Sequence, residues 1–218
     1  MAMHEYGIFI QARLGSTRFP KKILAPLAGK RVLDHVLETC KETGFPVFLL
    51  TPVSDENFFR ENFNATVIGG EEHDVLTRFY DAATAHGVKN IVRITSDCPC
   101  LPASHISAVV EEHKSNPDKF VTNVMYDSQL NSLTLIPDGY DVEVFSFEML
   151  NVAWKSATDK LEREHVTRWM RNFCSVYVPS FVLVPNEKFS LDTVEDLERI
   201  KLNFQLLKSM KTFKVKQA

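Results

Sequence analysis

The stretch YGIFIQARLGSTRFPKK, Tyr6 to Lys22, passes directly from a continuous apolar run into a loop of four cations. Its first part, Tyr6 to Gln11, has the unbroken hydrophobicity of a strand buried on both faces, as in parallel sheets. Its second part, from Gln11 on, holds Arg13, Arg18, Lys21 and Lys22, one glycine at Gly15, the hydroxyls of Ser16 and Thr17, and no carboxylate. In an open α/β sheet, ligands bind outside the carboxyl ends of the strands, and a loop leaving the first strand lies there. The fold therefore turns on whether the following sequence supplies more strands of the same kind, separated by helices.

It does. Four further β-like runs follow at 46–51, 65–70, 90–95 and 119–124, rich in Val, Ile and Phe. Between them, RVLDHVLETCKETG puts Val32, His35, Val36, Thr39 and Cys40 on one helical face, with Gly44 suited to the left-handed position after its end. DVLTRFYDAATAHG repeats the scheme with Val75, Leu76, Phe79, Ala82, Ala83 and His86 before Gly87. ASHISAVVEEHKSN repeats it with Ile106, Val109, Val110 and His113. Strands separated by helices need crossovers, and right-handed crossovers build a parallel sheet with helices on both faces. The expected class is α/β, Rossmann-like, with a mostly parallel central sheet. After residue 125 the rhythm changes: DGYDVEVFS alternates Val142 and Val144 with Asp141 and Glu143. Helical stretches at 147–156 and 160–173, the β-like run SVYVPSFVLVP and a last helix at about 194–207 follow. One domain over 1–207 is expected, in two parts at 6–125 and 126–190 packed on the same sheet, with a basic tail at 208–218.

Composition bounds the partners. With 44% hydrophobic residues, 24% charged residues and a net charge of −3 over 218 residues, the chain reads as soluble and globular, without the basic balance that makes nucleic acid the default partner. The amino terminus lacks the basic region and long apolar core of a secretion signal, and no segment has the length and apolarity of a membrane span, so a cytoplasmic protein away from membranes is expected. Cys40, Cys98, Cys100 and Cys174 are too sparse for a disulfide framework, and Cys98 with Cys100 lacks two further zinc ligands at local spacing.

Against the acidic total, no Asp or Glu occurs from Tyr6 to Leu33, where Arg13, Arg18, Lys21, Lys22, Lys30 and Arg31 accumulate. Such a field suits a polyphosphate: glycine permits close backbone approach, hydroxyls donate, and Arg and Lys form charge-assisted bonds to phosphate oxygens. The spacing is neither that of the P-loop nor G-x-G-x-x-G. On charge and spacing, anion binding stands beside the plainer reading of a solvated basic loop.

The segment QARLGSTRFPKKILAPLAGKRVLDHV resembles the opening of the cytidylyltransferases that make CMP-activated sugars. It is most similar to the spore coat polysaccharide branch, and more distantly similar to the Kdo and acylneuraminate enzymes. DVLTRFYDAA (74–83), VRITSDCPCL (92–101), PDGYDVEVFS (137–146), REHVTRWM (163–170) and SLDTVEDLERI (190–200) continue the resemblance in order. It implies a nucleotidyltransferase fold, with 6–125 as a nucleotide-binding half and 126–190 as an acceptor-binding or dimerisation region, a homodimer, and Mg²⁺-dependent transfer of CMP from CTP to a small sugar. Gln11, Ala12, Arg13, Gly15, Ser16, Arg18 and Lys22 would hold the nucleotide, with Arg13, Lys22 and Asp97 catalytic. Asp74 and Arg78 would lie near the base, and Asp97 and Asp192 would bind the metal. Lys21 stands where relatives usually have glycine, and Ser96 where they have glycine before Asp97.

Each candidate has a plainer reading. Asp97 follows a strand and precedes Pro99, as a turn-forming Asp does, and Asp192 has the sequence context of a helix N-cap. Arg163 and His165 are read either as part of an amphipathic helix or as cations facing the acceptor; Asp141 and Glu143 share one strand face and meet either sugar hydroxyls or water. Two rival functions are a nucleotide-sugar-dependent glycosyltransferase, whose D-x-D motif is replaced here by Asp97-Cys98-Pro99, and a non-catalytic nucleotide-binding protein.

Overall fold

The computed structural model describes residues 3–124, 137–172, 175–177 and 188–209. β1 (His4–Gln11) leads through the basic loop and a two-stranded ladder, β2 (Pro26–Leu27) with β3 (Lys30–Arg31), into α1 (Val32–Glu42). Then come β4 (Val47–Pro52), α2 (Glu56–Asn62), β5 (Thr66–Gly70), α3 (Val75–His86), β6 (Val88–Thr95), α4 (Ala103–Ser115) and β7 (Phe120–Thr122). β8 (Glu143–Ser146), α5 (Phe147–Ser156), α6 (Lys160–Glu164), β9 (Ser175–Tyr177) and α7 (Val194–Ser209) complete the described elements. Among these residues one sheet runs β5-β4-β1-β6-β8-β7-β9. β5, β4, β1 and β6 pair in parallel, β8 is antiparallel to β6 and β7, and β9 is parallel to β7.

The continuous apolar runs have the cause expected of them, because both sheet faces are covered. On one face Ile8, Ile10, Val92 and Ile94 pack in a cluster with Leu33 and Val36 of α1, Ile106 and Val110 of α4 and Ile200 and Phe204 of α7. On the other, Phe9, Ile91 and Phe145 pack with Leu76 and Phe79 of α3 and Leu150 and Ala153 of α5. Gly44 and Gly87 carry positive φ of 79° and 61° at the ends of α1 and α3, where a left-handed residue was expected. No helix among the described residues is long and apolar enough to cross a membrane.

Two departures from the sequence reading have local causes. The helix expected over 160–173 ends at Glu164, because Val166 is wholly buried with φ of 52° and cannot continue an α-helix. A short 3₁₀ turn, Met170–Asn172, follows. α2, unread in the sequence, has only seven residues with Phe59 as its buried one, too few turns for a helical period to emerge. The β-like run from Ser175 is described only through Tyr177, and residues 125–136, 178–187 and 210–218 of the expected acceptor region and tail lie outside the described residues.

Candidate active site

A pocket opens at the carboxyl ends of β1 and β6, lined among others by Gln11, Arg13, Ser16, Lys22, Asp97 and Asp192. The basic loop forms one side and is pinned by its backbone: Ala12 N donates to Leu50 O at 2.9 Å, Leu14 N to Asp55 Oδ2 at 2.8 Å and Lys21 N to Leu14 O at 3.2 Å. Lys21 takes left-handed angles, φ 56° and ψ 29°, the backbone state that favours glycine. Gly15 has open space around it, with no atom within 4 Å of a Cβ built on it.

Lys22 opens the 3₁₀ turn after the loop, and its Nζ donates to Asp97 Oδ2 at 2.5 Å and to Asp192 Oδ1 at 2.9 Å. Three segments distant in sequence thus meet on one ammonium group. Leu191 N bonds Asp97 O at 2.9 Å, tying the two carboxylate-bearing segments by backbone as well. Asp192 also pairs with Arg18 Nη2 at 2.9 Å and Lys188 Nζ at 2.8 Å. Burial works to raise the Asp192 pKa, but the hydrogen bonds and charges of Lys188 and Lys22 prevail and hold it down at about 2. For Lys22, burial opposes the charged form, and Asp97 and Asp192 outweigh it, so the ammonium titrates above its ordinary range.

The helix-cap reading of Asp192 is corrected by what surrounds it. Thr193 Oγ1 accepts from Asp196 N at 3.2 Å, and Asp196 Oδ2 accepts from Thr193 N at 2.9 Å, the reciprocal pattern of a capping box. Thr193 caps α7, and the Asp192 side chain is turned to the pocket.

Ala12, Arg18, Arg78 and His165 also line the pocket, as do Thr17, Ile23, Glu72, Val75, Thr95, Ser96 and Glu164. Of that second group, Glu72 lies outside every segment quoted from the sequence, and Ile23, Val75, Thr95 and Glu164 lie within such segments without being marked as site residues. Arg78 is buried, and its guanidinium spans Glu71 O at 2.7 Å and Glu72 O at 3.2 Å. Burial first, then the neighbouring Arg13, depresses it to about 10.

The remaining expected site residues lie behind the lining. Asp74 caps α3, accepting from Thr77 N at 3.0 Å, and pairs with Arg163 Nη2 at 2.7 Å. Arg163 goes on to Thr77 Oγ1 at 2.8 Å and to the carbonyls of Trp154 and Ala157, so it joins α6 to α3. Glu143 does not face water as one reading of its strand allowed: it is 2% exposed and ion-paired with Arg93 and Arg171. Its carboxyl is held at about 2, because the two arginines outweigh the burial. Asp141 makes no ion pair among the described residues; burial first, then Asp138 and Glu143, pushes it up to about 7.

The cytidylyltransferase family model matches residues 8–213. This chain belongs to the cytidylyltransferase family. It is 28% identical to the spore coat polysaccharide biosynthesis protein SpsF of Bacillus subtilis, covering 93% of this chain and 88% of that protein. It is 33% identical to an uncharacterized protein of Methanocaldococcus jannaschii over 87% of this chain and 79% of that one. The 3-deoxy-manno-octulosonate cytidylyltransferase of Francisella philomiragia matches at 31% identity over 54% of this chain and 49% of its own length. Among solved structures, a cytidylyltransferase of Leptospira borgpetersenii superposes with a TM-score of 0.81 at 24% identity, covering 98% of this chain and all of that one. A CMP-2-keto-3-deoxy-manno-octonic acid synthetase complexed with CTP superposes at 0.67 and 15% identity, covering 93% and 99%. These likenesses fix the fold as that of nucleotidyltransferases. In this cytidylyltransferase the pocket lies at the carboxyl ends of the sheet's central parallel strands, the place where open α/β sheets bind ligands.

Proposed function

We propose that this cytidylyltransferase transfers CMP from CTP to a small sugar, an ulosonic acid or a sugar phosphate, and releases pyrophosphate, for a surface polysaccharide or glycan. The observation that carries the reading is the Lys22 ammonium shared by Asp97 and Asp192 beside Arg13 and Arg18. A hydroxyl of the acceptor, or its phosphate oxygen, attacks the α-phosphorus in line, forming the new P–O bond as the bond to the β-phosphate oxygen breaks. Arg13, Arg18 and Lys22 bind the triphosphate and take up the charge gathering on the departing pyrophosphate. The protein does little covalent chemistry; it holds two reactants in line.

Asp97 and Asp192 suit Mg²⁺: their oxygens converge closely enough to share one cation, and carboxylates are hard ligands. Among the described residues no group of three or more protein ligands forms, which agrees with the habit of Mg²⁺ of taking one or two carboxylates plus substrate phosphates. When bound, the ion would add charge neutralisation on the phosphates.

The test is pyrophosphate release with Mg²⁺ and each of CTP, UTP, ATP and GTP, against a panel of ulosonic acids and sugar phosphates. Release specific to CTP and one acceptor is expected. Equal release from all four nucleotides, or none with any acceptor, sinks the reading.

A further inference from the structure

Beneath one wall of the pocket lies an ionic chain. Sheet register pairs Gln11 with Thr95, Phe9 with Arg93, and Arg93 with Glu143. Side chains alternate along strands, so Gln11, Arg93, Thr95 and Glu143 share one face, the same face as Phe9, Ile91 and Phe145. At its carboxyl end that apolar layer gives way to charge. Gln11 Oε1 accepts from Arg93 Nε at 3.2 Å and Nη2 at 3.0 Å. Arg93 Nη1 donates to Glu143, and Glu143 Oε1 accepts from Thr167 Oγ1 at 2.9 Å and Arg171 Nη2 at 2.8 Å.

Two consequences follow from donor chemistry. A guanidinium only donates, so the carboxamide oxygen of Gln11 must face Arg93 and its NH₂ must face the other way. Gln11 lines the pocket, and its Nε2 donates to no group among the described residues. The same chain fixes a second lining residue. Thr167 follows Val166, a wholly buried β-branched residue at φ 52°, and Thr167 N donates to His165 O at 2.5 Å. A backbone state of this kind persists where the surroundings over-determine it, and such states gather at functional sites. Glu143 therefore holds Gln11 through Arg93 and the His165 turn through Thr167.

We propose that Arg93 and Glu143 are positioning residues that fix the Gln11 carboxamide as a hydrogen-bond donor to an oxygen of the acceptor sugar, making Gln11 a determinant of acceptor choice. The inference rests on the sugar-transfer reading above. The acceptor is assigned to this wall, in place of the nucleotide that the resemblance implies for Gln11, because the chain joins Gln11 to the turn of His165, and both line the pocket. Gln11 offers a donor there, so the oxygen recognised is one that accepts a hydrogen bond, as a carboxylate or carbonyl oxygen does.

The test uses the full chain in two arms. In the first, the Gln11 side-chain amide is followed by ¹⁵N NMR in the unliganded protein and in Arg93→Lys, which keeps a cation on Glu143 but loses the planar fork. The amide signals should move to the positions of a free glutamine side chain; unchanged signals overturn the positioning role, whatever the acceptor. In the second, Gln11→Glu keeps an oxygen toward Arg93 and replaces the donor with an acceptor. With 3-deoxy-manno-octulosonate as the probe, its KM should rise about tenfold or more, the scale of one lost hydrogen bond, with the KM for CTP changed less than about twofold. An equal rise for CTP overturns the assignment to the acceptor, and unchanged KM values overturn the donor role. Absence of turnover by the unaltered protein with any sugar counts against the function proposed above, and the amide arm then judges Arg93 by itself.

Discussion

At the scale of single residues, Asp192 separates chemistry from architecture. Thr193 and Asp196 cap α7, so Asp192→Asn leaves the helix start intact, and its loss should appear in turnover. A fall in kcat/KM of roughly a thousandfold, ~4 kcal/mol of transition-state stabilisation, is expected, beside a modest fall in melting temperature from the lost charge pairing with Lys22 and Lys188. Asp97→Asn should behave alike, and a Mg²⁺ titration of kcat/KM beside thermal unfolding reads both. Near-normal turnover in both variants would reduce these aspartates to partners of Lys22. Lys21 gives the converse case, a cost in stability at the edge of the site. Its left-handed φ of 56° carries a penalty of about 1 kcal/mol for a residue with a Cβ. Lys21→Gly should therefore raise the unfolding midpoint in urea.

At the scale of elements, Arg163 is the joint between α6 and α3. It bonds Asp74, Thr77 and two carbonyls, and its loss leaves a charged cap and backbone acceptors short of a donor. Arg163→Met should cost about 1.5 kcal/mol, a fall of roughly 3 to 6 °C in melting temperature for a chain of this size. A residue that only touched a substrate would change kinetics and leave the melting temperature alone, so calorimetry beside acceptor kinetics separates the two roles. The Asp138–Gly139 turn is a joint of another kind. Gly139 has φ of 102°, and a Cβ there would come within 2.5 Å of Ser190 N, so any side chain would part the turn from the strand-like segment leading to Asp192.

Acid response belongs to the whole molecule. Burial lowers His105 and His113 to about 4 and lowers His165 as well. The unfolded chain then binds more protons below the ordinary histidine pKa of about 6.5, and stability falls as pH drops from there toward 4. Glu143 and Asp192, both held at about 2, add losses as pH falls through the carboxylate range. Asp141 has the opposite sign: raised to about 7, it keeps its proton in the folded state and loses stabilisation as pH rises through that value. Three histidines against one aspartate leave a net loss on acidification. Urea midpoints should fall steadily from pH 6.5 to 3, and Asp141→Asn, which takes away the opposing trend of that carboxyl between about 4 and 7, should make the fall steeper in that window. A midpoint flat between pH 6.5 and 4 would contradict the buried neutral histidines.

The sequence by itself determined the layered α/β class, because continuous apolar runs and helical stripes are properties of local chain that burial merely uses. It also determined the basic loop, since an acid-free stretch from Tyr6 to Leu33 is a fact of order along the chain. Left-handed turns at Gly44 and Gly87 were legible for the same local reason. Only the tertiary structure decided which charges meet. Lys22, Asp97 and Asp192 converge although up to 170 residues separate them, and Asp74, expected near the base, neutralises Arg163, read either as part of an amphipathic helix or as facing the acceptor, across 89 residues. Glu143 carries the lesson furthest: in sequence it is one acid of an alternating strand, and in the fold it is the buried anchor of two arginines. Whether a carboxylate meets water, a ligand or a guanidinium depends on which distant cations the sheet order brings within about 3 Å, and no local pattern encodes that distance.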